Sequence, residues 1–257
     1  MAVYTSEIAS DQLDSDNPVH QRLLKAYYAA MPFVKGEILE LGCGEGRGVE
    51  LLGEKGTSYL GLDKIDEVVA KLKAKFGDHE FKQAVFPPLT TIESESADTI
   101  ICFHVIEHIE DDGLLVKEIS RILRPGGRAL ITTPNIKMSL TRNPWHIREY
   151  TNQSLIDLCK THFGEVEMRG IAGNEKVMQY YEENKASVAK FKKLDIFNLE
   201  YNLPATWLRV PYDILNRINR NKLHKENQGL ASEIRVDDYI LNPQAEDNLD
   251  LFCILKK

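Results

Sequence analysis

The segment from Glu37 to Gly48 constrains the fold of this chain more than any other. It begins with the apolar residues of Glu-Ile-Leu-Glu-Leu, which predict a buried strand. Glycines then alternate where that strand should end, at Gly42, Gly44, Gly46 and Gly48. Glycine permits positive φ, and the lack of a Cβ lets the backbone approach a ligand closely. The segment therefore predicts a strand, a ligand-binding turn and a helix, as in α/β folds that bind nucleotides.

The spacing of these glycines excludes two common phosphate-binding turns. A dinucleotide fingerprint needs Gly-x-Gly-x-x-Gly, and Arg47 stands where its third glycine would fall. No Lys-Ser or Lys-Thr pair follows, so the turn is not a P-loop. Glu40, just before the glycines, suits a ligand's ammonium group better than a pyrophosphate. The turn predicts a site for a zwitterionic ligand without phosphates.

Composition limits the remaining possibilities. A chain of 257 residues with 43% hydrophobic content can form one sizeable α/β domain with an insertion. Its formal charge of -7 argues against a general nucleic-acid-binding protein. The four cysteines contain no Cys-x-x-Cys pair, which predicts neither a zinc site nor a disulfide framework. With no visible signal peptide or membrane-spanning run, we expect a cytoplasmic protein.

Strand and helix patterns alternate from residue 36 to about residue 172, which predicts a doubly wound α/β sheet. We predict seven strands, at residues 38–42, 59–63, 80–85, 99–104, 128–133, 166–171 and 249–255. The stretch between the last two is too long for a bare loop, so we expect a mainly helical insertion. Pro204 and Pro211 should break it, and residues 207–218 have the apolar spacing of an amphipathic helix. The predicted organisation is an N-terminal helical cap (1–35), a core (36–173 and 238–257) and an insertion or lid (174–237).

The glycine turn resembles motif I of the class I, Rossmann-like S-adenosylmethionine (SAM) methyltransferases. The resemblance extends over roughly residues 36–172 and 249–257. It implies six parallel strands and a seventh antiparallel strand, with helices on both faces of the sheet. It also implies SAM as cofactor, with S-adenosylhomocysteine as product. The cofactor-binding residues implied are Glu40, Gly42, Cys43, Gly44, Gly46, Asp63, Lys64, Gln83, Ala84 and His104.

Three of these residues have individual interpretations. Asp63 ends the second predicted strand, at the spacing where an acid meets ribose hydroxyls; the alternative is a helix cap. Gln83 stands where the family usually has an acid for the adenine amino group, and the alternative is a solvent-facing side chain. His104 should lie at the carboxyl end of the fourth strand, below the methionine part of the cofactor.

The segment His104-Val-Ile-Glu-His108 also fits the zinc-protease pattern H-x-x-E-H. We reject that function because the segment lies across a strand exit, whereas the pattern requires one helix. Ubiquinone-biosynthesis O-methyltransferases have a similar metal-associated E-x-x-E-H string, but here His104 replaces the first acid, which disfavours Mg²⁺. We predict no metal, and expect Glu107 and His108 to orient the neighbouring loop and to cap the following helix.

A second informative segment follows the fifth predicted strand. Residues 143–150 resemble the N-P-x-H-x-R-E-[YF] loop of one methyltransferase subfamily, whose members often act on glycans, lipids, phenols or other small acceptors. His146 is the candidate general base, Glu149 would orient it, and Arg148 would hold an acceptor carboxylate or phosphate. Two alternatives stay open: His146 positions the substrate or the loop, or Arg148 and Glu149 form a structural ion pair and His146 packs under Trp145.

The leading functional hypothesis is SAM-dependent methylation of a small-molecule, lipid or saccharide acceptor, at a hydroxyl oxygen, by in-line displacement. Two alternatives stay open, an NAD(P)-dependent oxidoreductase and a non-catalytic SAM-binding module. Nucleic acid is not an expected partner, and a homodimer stays open. His20, Tyr27 and Tyr28 of an N-terminal helix are candidates for closing the pocket.

Overall fold

The computed structural model describes residues 14–193, 195, 197–226 and 229–257. Within these residues, eight strands form one sheet in the order β3-β2-β1-β4-β5-β8-β6-β7. The first five strands and β6 run parallel, whereas β8 is antiparallel to β5 and β6, and β7 is antiparallel to β6. The strands are β1 (Glu37–Leu41), β2 (Ser58–Asp63), β3 (Glu80–Gln83), β4 (Ala97–Phe103), β5 (Leu123–Pro134), β6 (Glu165–Gly173), β7 (Tyr239–Pro243) and β8 (Asp250–Lys256).

Helices cover both faces of this sheet. Successive strand residues point to opposite faces, so Ile38 and Leu39 of β1 pack into two different core clusters. One cluster takes the apolar faces of the first three helices and of the insertion, and the other takes those of α4 and α5. The helices are α1 (Asn17–Ala30), α2 (Arg47–Leu52), α3 (Asp66–Lys75), α4 (Asp112–Ile122), α5 (Asn152–Lys160), α6 (Glu175–Lys192), α7 (Leu199–Asn202), α8 (Ala205–Glu226) and α9 (Leu230–Glu233).

The prediction of a seven-stranded sheet is wrong by one strand. β7 pairs with β6 at the edge of the sheet, with Gly170 opposite Asn242 and Ile171 opposite Leu241. Its sequence, Tyr-Ile-Leu-Asn-Pro, is short and ends in a proline, so it shows no clear strand pattern. The strand forms because it pairs with the otherwise unpaired edge of β6. That pairing is a contact between segments far apart in sequence. The antiparallel strand expected last in the chain is present as β8.

Two local expectations also need correction. The segment 124–127 was expected to lie outside the fifth strand, but pairing with β4 already begins at Leu123 and shifts register before Arg128. The residues between them form a bulge, with Gly126 at φ +77°. Pro211 was expected to break the insertion, but α8 continues through it. The described helices are too short or too polar to form a membrane-spanning segment.

Candidate active site

The glycine turn connects β1 to α2 and opens a space above the sheet. The backbone N–H groups of Gly42 and Cys43 donate to the carbonyl of Leu62, at 2.8 and 3.0 Å. Gly42, Gly44 and Gly46 have φ values of +74°, +49° and +88°, which other residues rarely adopt. A Cβ added to Gly44 would meet no atom within 4 Å. The turn therefore exposes its backbone to an open cavity at Gly44.

Asp63 holds the turn from the end of β2. Its Oδ2 accepts a hydrogen bond from the N–H of Gly44 at 2.9 Å, and its Oδ1 accepts one from Ile65 at 3.0 Å. The carboxylate is nearly buried but lines the cavity. Because each carboxylate oxygen can accept more than one hydrogen bond, Asp63 retains capacity for the vicinal hydroxyls of a ribose. The residue therefore has a structural partner and remains suited to a cofactor.

This first cavity has a volume of about 290 Å³. Apolar side chains, among them Phe103, Val105 and Ile109, form much of its wall. It is large and apolar enough for an adenosine, and Asp63 supplies acceptors where sugar hydroxyls would lie. The residues present thus fit SAM. Of the predicted cofactor-binding residues, those that line the cavity are Gly42, Cys43, Gly44, Asp63, Lys64, Ala84 and His104.

The other three predicted cofactor-binding residues do not line this cavity. Gly46 packs against α3, where an added Cβ would lie 2.6 Å from Leu72. The side-chain amide of Gln83 donates to the carbonyl of Lys64 at 3.1 Å. Glu40 is buried next to Gly48 of α2. None of these three residues therefore lies at the surface of the cavity.

Glu40 is hydrogen-bonded to two tyrosines, of which Tyr27 lines the cofactor cavity. The hydroxyl of Tyr27 donates to Oε1 of Glu40 at 2.6 Å, and the hydroxyl of Tyr59 donates to Oε2. Burial raises the pKa of Glu40 to about 8. Tyr27, one of the three residues predicted to close the pocket, lines the cavity. Tyr28, another of the three, is not among the lining residues. His20, the third candidate, accepts from Arg47, which also lines the cavity.

A second cavity, of about 280 Å³, adjoins the first. Leu23, His104 and His108 line both, so the two cavities meet at the exit of β4. The wall of the second cavity comes from α1, the loop after β5, and the inner faces of α6 and α8. An acceptor in this cavity would reach a cofactor in the first through the gap beside the two histidines.

The exit of β4 holds the loop that bears His146. The backbone carbonyl of Glu107 accepts from the N–H of Ile147 at 2.8 Å, and Nδ1 of His108 donates to the carbonyl of Trp145 at 2.9 Å. The carboxylate of Glu107 is buried and accepts from the hydroxyl of Thr133 at 3.0 Å. Glu107 and His108 therefore orient this loop, as the sequence predicted. The expected helix cap is wrong, because Asp111 caps α4 by accepting from the N–H of Leu114.

The hydrogen bonds of His146 define its tautomer. Oδ1 of Asn143 accepts from the N–H of Trp145, so the NH₂ group of Asn143 faces Nε2 of His146 at 2.8 Å. Nε2 must then be the acceptor, and Nδ1 carries the proton that is donated to Oε1 of Glu149 at 2.8 Å. Ser139 donates to the other oxygen of Glu149. Nε2 is thus the acceptor nitrogen of His146, a residue that lines the second cavity.

Arg148 lies apart from this pair. Its guanidinium contacts Asp112 at 2.6 Å and donates to the carbonyl of Glu110 at 2.8 Å. It lines a third cavity, of about 230 Å³, and is not among the residues that line the second. His146 and Glu149 line this third cavity as well, so all three predicted residues lie around it, and Arg148 is the one that does not reach the second cavity. The partner of Arg148 is Asp112, in place of the Glu149 of the alternative prediction.

A buried group of charges lies where the two cavities meet. His104 has φ +53°, and its ring nitrogens lie 3.5 Å from Glu107 and 3.4 Å from Asp250. Burial alone would lower the pKa of His104, but Asp250 and Glu107 outweigh it and raise this pKa to about 9. Nε of Arg22 lies 3.2 Å from Asp250. His104 is therefore a cation at neutral pH.

The sequence analysis missed Arg22 and Asp250. Asp250 is fully buried at the start of β8, directly before an apolar run. A carboxylate at the end of such a run could have been noted, because buried acids require a partner. Its partners, however, come from α1 and β4, which are far from it in sequence.

Glu107, His108 and His146 have ligand-type atoms within 4.8 Å of one another. Such a nitrogen-rich set suits a transition metal better than Mg²⁺. Both ring nitrogens of His146 are in hydrogen bonds, and Glu107 accepts from Thr133. A metal would have to replace some of these bonds, and its absence from the enzyme stays a prediction.

Known proteins resemble this chain in sequence and in fold. A family described as "Methyltransferase domain" matches residues 17–167. A probable S-adenosylmethionine-dependent methyltransferase of Mycolicibacterium smegmatis is 30% identical over 230 residues, which cover 85% of this chain and 80% of that protein. The human mitochondrial ubiquinone biosynthesis O-methyltransferase is 28% identical over 127 residues, 46% of this chain and 34% of that protein. A SAM-dependent methyltransferase of Thermotoga maritima has the same fold, with a TM-score of 0.57 at 15% identity, covering 93% of this chain and 89% of that chain.

The family match covers more than half of the chain, including the glycine turn and Asp63. This family match agrees with the first cavity, which fits a nucleoside without phosphates. The match also excludes the alternative of an NAD(P)-dependent oxidoreductase. The chain therefore belongs to the methyltransferase domain family and is an enzyme that uses S-adenosylmethionine as its cofactor.

Proposed function

We propose that this enzyme methylates a hydroxyl oxygen of a small-molecule, lipid or saccharide acceptor that binds in the second cavity. His146 is the general base. The observation that carries this proposal is the pair of hydrogen bonds of His146, with Nδ1 bonded to Glu149 and Nε2 to Asn143, at the wall of a cavity that adjoins the cofactor cavity. Its relative named for ubiquinone biosynthesis is an O-methyltransferase, which supports oxygen as the acceptor atom.

The cofactor supplies an electrophilic methyl group on a sulfonium. Asp63 and the glycine turn hold its sugar and fix its position in the first cavity. The acceptor hydroxyl takes the place of the Asn143 amide at Nε2 of His146. Nε2 would then accept the hydroxyl proton while the oxygen takes the methyl group in line, with the methyl–sulfur bond breaking to leave S-adenosylhomocysteine.

Glu149 makes this proton transfer favourable. Its carboxylate accepts from Nδ1 of His146 and stabilises the imidazolium that forms. The Ser139 hydroxyl holds the other carboxylate oxygen and so fixes the orientation of Glu149. The arrangement follows the general pattern of a base oriented by a third group.

The insertion supplies much of the acceptor site. Tyr180 and Asn184 of α6 and Tyr212 and Asn216 of α8 line the second cavity. Their amides and hydroxyls suit a polar, hydroxylated acceptor. We assign the core to residues 36–173 and 238–257, the lid to residues 174–237 and the N-terminal cap to residues 1–35, of which residues 1–13 lie outside the part of the chain that the structure describes. The helices between β6 and β7 support this division.

The test uses methyl-labelled SAM with a panel of phenols, saccharides and hydroxylated lipids. We expect label in a stable ether product. His146→Ala should lower kcat by about 10²–10⁴-fold, the usual contribution of a general base, and leave SAM affinity unchanged. Titration calorimetry with S-adenosylhomocysteine checks that affinity.

The matched control is His162→Gln, at an exposed histidine outside the cavities described above. It should retain full turnover. If His146→Ala keeps kcat within about threefold of the unchanged enzyme, the general-base role is wrong. If label appears on nitrogen or carbon, the assignment to oxygen is wrong.

A further inference from the structure

Helix α8 has its polar and apolar faces reversed relative to an ordinary surface helix. Tyr212, Asn216, Asn219 and Arg220 face inward and line the second cavity. The opposite face is apolar and exposed. Its residues and exposed fractions are Trp207 (71%), Val210 (67%), Ile214 (55%), Leu215 (46%) and Ile218 (51%). We call these five residues the outer stripe.

An isolated exposed apolar residue on a protein surface is common, but the outer stripe is continuous. It extends over about three turns of one helix face. A surface helix normally directs its apolar side to the core and its polar side to water. Contiguous exposed apolar patches of this kind mark interaction surfaces. The outer stripe therefore requires an occupant.

Two occupants are considered for the outer stripe, a membrane and a protein, and the charge around the stripe distinguishes between them. In the range 206–221, the exposed residues carry no formal charge. The arginines of α8 are used internally: Arg217 and Arg220 pair with Asp16, at 3.0 and 2.9 Å, and Arg209 lies over the Trp145 ring. An amphipathic helix that binds anionic lipid needs available cations beside its apolar face. An uncharged stripe on a chain of net charge -7 therefore favours a protein partner.

The spacing of the stripe matches a second copy of itself. Val210, Ile214 and Ile218 are four residues apart and form one ridge along the helix. Two such ridges pack into each other's grooves in the commonest mode of helix packing. A face that contacts its own copy across a two-fold axis is the most frequent interface in soluble oligomers. The central residue of the ridge, Ile214, would then lie nearest the axis.

We propose that the outer stripe is a homodimer interface, in which α8 packs against α8 of a second copy and crosses it near Ile214. Exposed side chains of the preceding segment, Phe197, Leu199 and Tyr201, add apolar area beside the helix in sequence. The interface would fix α8 from outside, while its inner face lines the second cavity. Dimerisation and the shape of that cavity are thus coupled through one helix.

The first test is the mass in solution, measured by sedimentation at micromolar concentration. The unchanged protein should have twice the chain mass of 29.3 kDa. Ile214→Glu should be monomeric, with unchanged circular dichroism and SAM affinity. The matched control is Ile240→Glu, since Ile240 is 49% exposed on the edge strand β7; it should stay dimeric. A monomeric unchanged protein, or dissociation by Ile240→Glu alone, overturns the proposal.

The second test is a cross-link that does not depend on disrupting the protein. The four native cysteines are all buried, so an added surface cysteine is the reactive one. Ile214→Cys should form a disulfide-linked dimer under mild oxidation, because the two copies of this position meet near the axis. Ile240→Cys should not.

A vesicle assay tests the rejected occupant. The unchanged protein should not sediment with vesicles of phosphatidylcholine and phosphatidylglycerol. A monomer that does so, and that loses this binding in Ile214→Glu, would make the stripe a membrane-binding surface and overturn the dimer.

Discussion

Nδ1 of His146 donates to Oε1 of Glu149 at 2.8 Å, and this bond leaves the other ring nitrogen, Nε2, as the basic one. Glu149→Gln removes the carboxylate but keeps its size. We expect kcat to fall about 10–100-fold, because an imidazolium next to a neutral amide is less stabilised than one next to a carboxylate. Single-turnover kinetics with labelled SAM measures this step.

The control for Glu149→Gln is Glu167→Gln, at an exposed residue of β6 paired with Arg169 on the surface. It should have no effect on turnover. Equal rates for Glu149→Gln and the unchanged enzyme would contradict the role of the carboxylate.

Asp63→Asn should weaken SAM binding by about 10–100-fold. A hydrogen bond to a charged group contributes roughly 1.5–3 kcal/mol, and the substitution removes the charge that ribose hydroxyls would meet. Titration calorimetry measures the dissociation constant. Asp66→Asn, at an exposed position three residues later, should bind SAM normally. An unchanged dissociation constant for Asp63→Asn would exclude its ribose contact.

Two glycines in helices should respond to alanine in opposite directions. A Cβ at Gly48 would overlap Oε2 of the buried Glu40, so Gly48→Ala should destabilise the fold by about 1–3 kcal/mol. At Gly113 in α4 the nearest atom would be Asp111 Oδ1, at 3.7 Å. Gly113→Ala should therefore stabilise by about 0.5–1 kcal/mol. Urea unfolding measures both, and destabilisation by both substitutions would refute the contrast.

His104 should make stability depend on pH. Its pKa is raised to about 9 in the folded protein, chiefly because Asp250 and Glu107 outweigh the effect of burial. A histidine whose pKa is raised by folding stabilises the folded state fully at pH values below its unfolded-state pKa, near 6.5. This stabilisation is lost as the pH rises through the folded-state pKa of about 9. At about 1.4 kcal/mol per pH unit, the total is about 3 kcal/mol.

The comparison is between the unchanged protein and His104→Gln, by urea unfolding at pH 6.5, 8 and 10. The variant should be less stable at pH 6.5, and the difference should shrink towards pH 10. His162→Gln, at an exposed site, should follow the unchanged protein. A stability difference that does not vary with pH would show that His104 is uncharged in the fold.

Local patterns in the sequence were sufficient for much of this protein. The glycine turn and Asp63 at the end of β2 lie within about twenty residues, so short-range spacing predicts their meeting at one sheet edge. The same holds for Glu149 beside His146, three residues away. Hydrophobic periodicity indicated the doubly wound sheet because its helices and strands are locally amphipathic or buried.

The tertiary structure decided what depends on contacts between distant residues. It placed β7 on the edge of β6, turned Arg148 towards Asp112, and set Asp250 between Arg22 and His104. Periodicity showed that α8 is amphipathic but not which face is inward. That choice follows from what the helix packs against, here a polar cavity, so the apolar face is left outside. Sequence determines the faces of an element, and long-range packing determines which of them is buried.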